Sequence, residues 1–286
     1  MERIDLEIIR EFIQRINKGP LKCPPDFEGD DVCVKIGYEV DEKEKLNDIY
    51  GCAVYQAWLD LNRTVAGAGS KTAHKRIKQA RNDVAAALRG YFMSEPKQTC
   101  EAFDGWLYAI ISRCDPKDDL TLGQKQKLIN MAFKYLYCCR ELREQEDGLY
   151  FAFCHMPLDT YTLKWYKANC AEKGEKVCKW SQLDDLKAYE HIVKQIRSAV
   201  IDMSVLEAEF SIWRQEKQRA ACLAARNILE HDISARQKQV LLLYYGEGKK
   251  MADIAQLLGV NISTVSRTHR RACAAVQKRL KACGLL

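Results

Sequence analysis

The sequence predicts a mainly α-helical protein, with an irregular helical N-terminal domain and a C-terminal module of three to four helices. Apolar residues recur at helical spacing along most of the 286 residues, and capping and glycine signals divide the last quarter into short helices. An apolar content of 47% is ample for a packed core. Residues 214–286 carry fourteen Lys and Arg against five Asp and Glu. This asymmetry favours a polyanion-binding module attached to a nearly neutral body.

The N-terminal domain is predicted to span residues 1–213. Apolar residues from Ile9 to Ile16 recur at i, i+3, i+4 and i+7, which predicts a first helix that ends at Gly19. Residues 20–40 hold three of the six prolines and are predicted to be irregular, with one short strand. Further helices are predicted over residues 42–64, 71–92, 99–113 and 121–143.

The rest of this domain is predicted to begin with a turn-rich stretch that includes a loop or hairpin at 171–176. A helix is then expected from Trp180 to about residue 200, with Ser181 as its N-cap. The composition shifts at Trp213, where we place the domain boundary. Residues 214–231 are predicted to form a helical connector that leads to a second domain at 232–286.

The C-terminal module begins at Ser234, which opens an S-x-x-Q capping box. The helix that follows is expected to end at the glycines of Gly246-Glu247-Gly248, and a second helix is predicted over 251–258. Gly259 then makes a tight turn, and Asn261 is expected to cap, through its side-chain oxygen, a third helix from Ile262 to about 281. Two helices joined by a three-residue turn form the helix-turn-helix that places its second helix in the DNA major groove.

The candidate DNA contacts follow from the period of this third helix. With Val265 and Ala272 directed inward, a spacing of 3.6 residues exposes the opposite face, where arginine and hydroxyl side chains suit base edges. Lysines before the second helix and basic residues later in the third suit phosphates, among them Lys278 and Arg279. The predicted DNA-binding residues are Lys249, Lys250, Asn261, Ile262, Ser263, Thr264, Ser266, Arg267, Arg270 and Arg271.

The stretch "SARQKQVLLLYYGEGKKMADIAQLLGVNISTVSRTHRRA" resembles the fourth region of bacterial sigma factors and the related helix-turn-helix of response-regulator-type transcription factors. The resemblance covers about fifty residues and implies double-stranded DNA, and RNA polymerase, as partners. Thr268 departs from the pattern, since many such units have an apolar residue there, and His269 is an unusual neighbour for it. The N-terminal part is similar to uncharacterised bacterial and phage-type helical proteins, which implies no activity.

Three motifs in the N-terminal domain resemble sites of other functions, but each lacks part of the pattern that the function requires. "GAGSKT" at 67–72 lacks the glycine spacing of a phosphate-binding loop, so a flexible turn is the better interpretation. Cys154, His155, Cys170 and Cys178 match no common zinc-ligand spacing. His155 and Asp159 suit acid-base chemistry, although no nucleophile or carboxylate pair accompanies them, and a histidine in a turn more often forms only local hydrogen bonds.

Composition limits the remaining classes. The thirteen cysteines are odd in number and include no C-x-x-C pair, which argues against a disulfide scaffold. No apolar stretch approaches the length of a membrane span, and the N-terminus lacks a signal-peptide pattern, so a cytoplasmic protein without a membrane partner is expected.

The function that these observations predict is a sequence-specific DNA-binding protein, a bacterial or phage-derived transcriptional regulator without catalytic activity, cofactor or bound metal. A homodimer would let one small module bind two half-sites. One alternative is a nucleic-acid-processing or defence-related enzyme, whose helix-turn-helix delivers the N-terminal domain to DNA. Another is that the basic module docks RNA polymerase or another protein.

Overall fold

The computed structural model describes residues 4–16, 49–65, 71–115 and 120–285, and all structural statements below refer to these ranges. Within them the chain forms α-helices, short 3₁₀ turns and one π-helical turn, and contains no β-strand. The short strand expected within 20–40 lies outside the described residues. The helices are α1 (Leu6–Ile16), α2 (Ile49–Leu61), α3 (Lys71–Phe92), α4 (Cys100–Arg113), α5 (Leu122–Tyr137), α6 (Arg140–Glu144), α7 (Thr160–Asn169), α8 (Leu186–Ala199), α9 (Val205–His231), α10 (Ala235–Leu241), α11 (Met251–Leu257) and α12 (Ile262–Ala282).

The chain divides into two compact units, Met1–Arg214 and Gln215–Leu286. Helix α9 runs without a break from Val205 to His231, so it contains both the predicted boundary at Trp213 and the predicted connector. The prediction of a mainly α-helical protein is confirmed.

In the first unit, α5 is the central helix and is buried along almost its whole length. Its Lys134 forms an ion pair with Glu209 of α9, and both side chains are 1% exposed. The Lys134 ammonium also lies 4.0 Å from the ring centre of Phe12 and 4.6 Å from that of Phe210. Burial raises the pKa of Glu209 to about 7, although Lys134 acts in the opposite direction. The core of this unit therefore contains an ionisable pair enclosed by aromatic rings.

The structure corrects two boundaries of the predicted helices and adds one further helix. The helix expected over 121–143 ends at Tyr137, and α6 follows as a separate helix. The stretch predicted to be turn-rich contains α7, which Asp159 caps. The helix expected at Trp180 begins at Leu186 instead, because residues 180–182 form a 3₁₀ turn and Asp185, not Ser181, is the N-cap.

The second unit consists of the C-terminal part of α9 followed by α10, α11 and α12. Its small core contains Val240 of α10, Ile254 and Ala255 of α11, and Val265 of α12. Partly buried side chains, including Leu258 and Val260, pack around these four residues. The core fixes the position of α12 relative to the two helices before it.

Candidate nucleic-acid interface

The first helix of the module starts at the predicted capping box. The Gln237 backbone N–H donates to the Ser234 hydroxyl at 3.2 Å, and the Ser234 backbone N–H donates to the Gln237 side chain at 3.0 Å. After Leu241 the chain makes one π-helical turn, Leu242–Gly246, which ends at the glycines expected to terminate the helix. The capping box and the π-helical turn therefore define the two ends of α10, the helix against which α11 and α12 pack.

The turn between α11 and α12 has the hydrogen bonds of a Schellman motif. The Val260 N–H donates to the Ala255 carbonyl at 3.0 Å, and the Gly259 N–H donates to the Gln256 carbonyl at 3.3 Å. Gly259 has φ +62°, a left-handed conformation that a side chain would strain. The Arg236 guanidinium donates to the Leu258 carbonyl at 3.2 Å and so ties α10 to this turn. The role of Arg236 was not predicted, because the two residues are 22 positions apart.

Helix α12 is held by one buried face. Val265 is 1% exposed and Ala272, two turns later, is fully buried. Asn261 occupies the N-cap position, but its side chain makes no capping hydrogen bond, so the expected side-chain cap is wrong. Its backbone carbonyl instead accepts from the Thr264 N–H at 2.9 Å. The start of α12 is therefore positioned by the Schellman turn and by core packing.

Most of the predicted contact residues lie on the solvent side of the module. Ile262 at the start of α12 is 55% exposed, although its side chain is large and apolar. Ser266 and Lys249 are half-buried. The exposed members of the set are Lys250, Asn261, Ile262, Ser263, Thr264, Arg267, Arg270 and Arg271.

The charges on this surface differ in whether they are already paired. Lys249 lies 3.4 Å from the Glu247 carboxylate, and Arg279 lies 3.7 Å from that of Asp232. The sequence contains no Asp or Glu after Asp253. Among the described residues, no side-chain hydrogen bond or ion pair engages the basic groups Lys250, Arg267, Arg270, Arg271 and Lys278. We call these five residues the free basic face.

Thr268 and His269, the two unusual positions of the module, have specific partners. The Thr268 hydroxyl donates to the Thr264 carbonyl one turn earlier, at 2.8 Å, which satisfies the polar group within the helix. The His269 ring packs edge-on against Tyr244, with ring centres 4.8 Å apart, and lies 5.5 Å from Tyr245. An aromatic contact thus joins α12 to the π-helical turn that follows α10.

The acid-base pair considered in the N-terminal domain does not form. The Asp159 carboxylate accepts from the backbone N–H groups of Tyr161 and Thr162 and caps α7. His155 is 1% exposed, and its two ring nitrogens contact Asp104, at 2.7 Å, and the hydroxyl of Tyr189, at 2.8 Å. His155 and Asp159 therefore belong to different hydrogen-bond networks.

Asp104, the carboxylate that contacts His155, is also paired with the guanidinium of Arg197. Burial lowers the pKa of His155, although the hydrogen bond to Asp104 acts in the opposite direction. Arg197 binds both oxygens of Asp104 at 2.7 Å. Burial favours a higher pKa for Asp104, but hydrogen bonds from His155 and Arg197 outweigh it and lower that pKa to about 2. These hydrogen bonds connect α4 to α8, and the imidazole is buried between the two helices.

The candidate zinc ligands lie within the described residues, whereas most of the candidate phosphate loop lies outside them. No group of three or more His, Cys, Asp or Glu side chains among the described residues is arranged to hold a metal ion. Cys154 is buried, and burial raises the pKa of its thiol. Residues 67–70 of "GAGSKT" lie outside the described ranges. None of the helices described is long and apolar enough to cross a membrane.

Comparison with known proteins identifies the module but not the rest of the chain. Residues 233–276 match the family "Sigma-70, region 4", which confirms the predicted similarity of the C-terminal helix-turn-helix. No curated protein and no solved structure matches the chain. The matched segment contains the capping box, the Schellman turn and the first fifteen of the 21 residues of α12.

Proposed function

We propose that this protein is a sequence-specific DNA-binding transcriptional regulator, which inserts the first half of α12 into the major groove. The observation that carries the proposal is the free basic face: four of its residues lie on the solvent side of α12, after the helix-turn-helix turn, and Lys250 directly precedes α11. Unpaired guanidinium groups on an exposed helix can meet DNA without first giving up a protein partner. The match of residues 233–276 to sigma-70 region 4 supports the same function.

Within this proposal, base contacts come from the start of α12. Arg267 and Arg270 suit guanine, whose two major-groove acceptors accept a bidentate guanidinium, and Ile262 suits the methyl group of thymine. Polar contacts to bases or sugars come from the exposed or half-buried side chains of Asn261, Ser263, Thr264 and Ser266.

Phosphate contacts are assigned to the cations that flank this segment. Lys250 precedes α11, and Arg271 and Lys278 follow the proposed base-contacting residues along α12. Lys249 is also assigned here, but it must exchange its contact with Glu247 for a phosphate. These contacts fix the orientation of the module and carry no sequence preference.

Two further partners belong to the proposal. RNA polymerase is a candidate because region 4 of sigma factors binds RNA polymerase as well as DNA. A homodimer is a candidate because a single small module gains affinity when two copies bind adjacent half-sites. We place this activity in the cytoplasm and assign the module a binding role without catalysis.

The test is selection of sites from random duplex DNA by the full-length chain, followed by affinity measurements on the enriched sequence. Replacing both Arg267 and Arg270 by alanine should weaken binding by roughly 1 to 3 kcal/mol for each base contact that is lost. The matched control is Arg226→Ala, which removes an exposed arginine that α9 pairs with Glu230. Unchanged affinity in the double variant, or an equal loss in the control, would show that α12 does not contact the bases.

A palindromic site would support the homodimer, whereas a single unrepeated site would contradict it. Retention of RNA polymerase on the immobilised full-length chain, tested without DNA, examines the other partner. These outcomes are independent of the base contacts, so each part of the proposal can fail separately.

A further inference from the structure

We propose that Cys273 is a covalent modification site, at which a small apolar electrophile of the α,β-unsaturated carbonyl class enters the adjoining groove and alkylates the thiol. Cys273 lies on α12 C-terminal to all of the proposed base-contacting residues, and about 120° around the helix axis from Arg267. The inference goes beyond the proposed function and does not depend on it.

A base and a hydroxyl group contact the thiol. The Cys273 sulfur lies 3.7 Å from His269 Nε2 and 3.9 Å from the Tyr245 hydroxyl. The His269 ring is itself held against Tyr244 and Tyr245. The imidazole is therefore fixed one helical turn from the sulfur, in position to accept its proton.

An apolar groove of about 310 Å³ opens beside the sulfur. Leu242 and Tyr245 at its rim are 51% and 67% exposed, so the groove is accessible from solvent. Its volume is at the lower end of the range for small-molecule pockets. The lining contains no Asp, Glu, Lys or Arg, which favours an uncharged apolar molecule over a peroxide or a charged reagent. Leu229, Leu241 and Val276 form the rest of its apolar wall.

The reaction is a conjugate addition that needs no oxidant and releases no leaving group. His269 takes the thiol proton, and the sulfur lone pair forms a bond to the β-carbon of the electrophile. The π electrons of the carbon-carbon double bond move to the carbonyl oxygen as an enolate, and the imidazolium returns the proton to the α-carbon. Hydrogen bonding with Cys273 raises the pKa of Tyr245, so its phenol remains a proton donor beside the forming thiolate.

The test is the alkylation rate of individual cysteines in the full-length chain, followed by peptide mass spectrometry. The probes are N-phenylmaleimide, which is apolar, and its carboxylated analogue. Cys222 and Cys283 are exposed and serve as internal references in the same molecule. The variants are His269→Phe, which keeps an aromatic ring against the two tyrosines, and Leu242→Glu, which puts a charge at the exposed rim of the groove.

An ordinary thiol is only a few per cent ionised near neutral pH, so a neighbouring base can raise its reactivity by up to roughly 30-fold. We expect half-buried Cys273 to react with N-phenylmaleimide faster than both exposed references, and His269→Phe to slow it by about tenfold. Leu242→Glu should remove the preference for the apolar probe at Cys273 alone. Equal rates at the three cysteines, an equal preference for the apolar probe at all three, or no effect of His269→Phe would overturn the proposal.

Discussion

The salt dependence of DNA binding tests whether basic residues that already contact a carboxylate contribute less to phosphate binding than unpaired ones. Five cations flank the proposed base-contacting segment, but Lys249 and Arg279 already contact carboxylates and add little to the salt dependence when they exchange that partner for a phosphate, which leaves Lys250, Arg271 and Lys278 as full contacts. Each phosphate contact contributes about −0.9 to the slope of log affinity against log salt, so three contacts give a slope of about −2.7. A fourfold rise in salt then weakens binding about 40-fold, whereas five contacts would weaken it about 500-fold.

Two neighbouring lysines provide the matched comparison. Lys250→Ala should make the slope shallower by about 0.9, whereas Lys249→Ala should change it by less than half as much, because its charge is shared with Glu247. Glu247→Gln, which frees Lys249, should steepen the slope. The assay is fluorescence anisotropy with the selected duplex at several salt concentrations. A slope shallower than about −1, or equal effects of the two alanine variants, would refute the assignment of phosphate contacts.

Three further predictions concern stability. Gly259→Val should destabilise the second unit by about 1 to 2 kcal/mol, since valine is strained at a φ of +62°, and an unchanged urea midpoint would contradict this. Asp159→Ala should cost about 1 kcal/mol through the lost cap of α7, whereas Asp159→Asn, which can still cap, should cost much less in the same assay. The raised pKa of Glu209 contributes stability that is present below its ordinary pKa and is lost as pH rises through about 7. The melting temperature should therefore fall across that range, and Glu209→Gln should abolish the fall.

The helix-turn-helix could be predicted from sequence because its signals are local. Ser234 and Gln237 cap a helix within a single turn, and Gly259 ends another within three residues. Neither feature depends on distant parts of the chain. The same holds for the inward positions of Val265 and Ala272, since helical periodicity alone determines which face they share.

The predicted helix at Trp180 failed for a long-range reason. The Ser181 carbonyl accepts from the Thr121 hydroxyl, and the Leu183 carbonyl accepts from the Gly123 N–H at 2.7 Å. The Asp184 carboxylate accepts from the Leu122 N–H at 3.0 Å. This segment thus accepts hydrogen bonds from the start of α5 instead of starting a helix of its own. Its donors lie about 60 positions earlier in the sequence, so local patterns could not predict these contacts.

The hydrogen-bond network of His155 could not be predicted from the sequence either. Its partner Asp104 is 51 residues away, whereas Asp159, the nearby carboxylate, caps a helix. Proximity in sequence suggested an acid-base pair, but the fold directs the two side chains to different partners. A buried imidazole between Asp104 and Tyr189 is a structural group, because substrate has no access to a side chain that is 1% exposed.

For the candidate interface, the sequence could predict which residues share a face but not which charges on it are free. Lys249 and Lys250 are adjacent and chemically identical, yet only Lys249 contacts a carboxylate. Arg279 is likewise paired with Asp232, 47 positions earlier, through the folding of the module. Because a paired cation must exchange one anion for another, it contributes less to binding than a free one. The distribution of free cations, more than the net charge of the module, should therefore determine how strongly it binds phosphates.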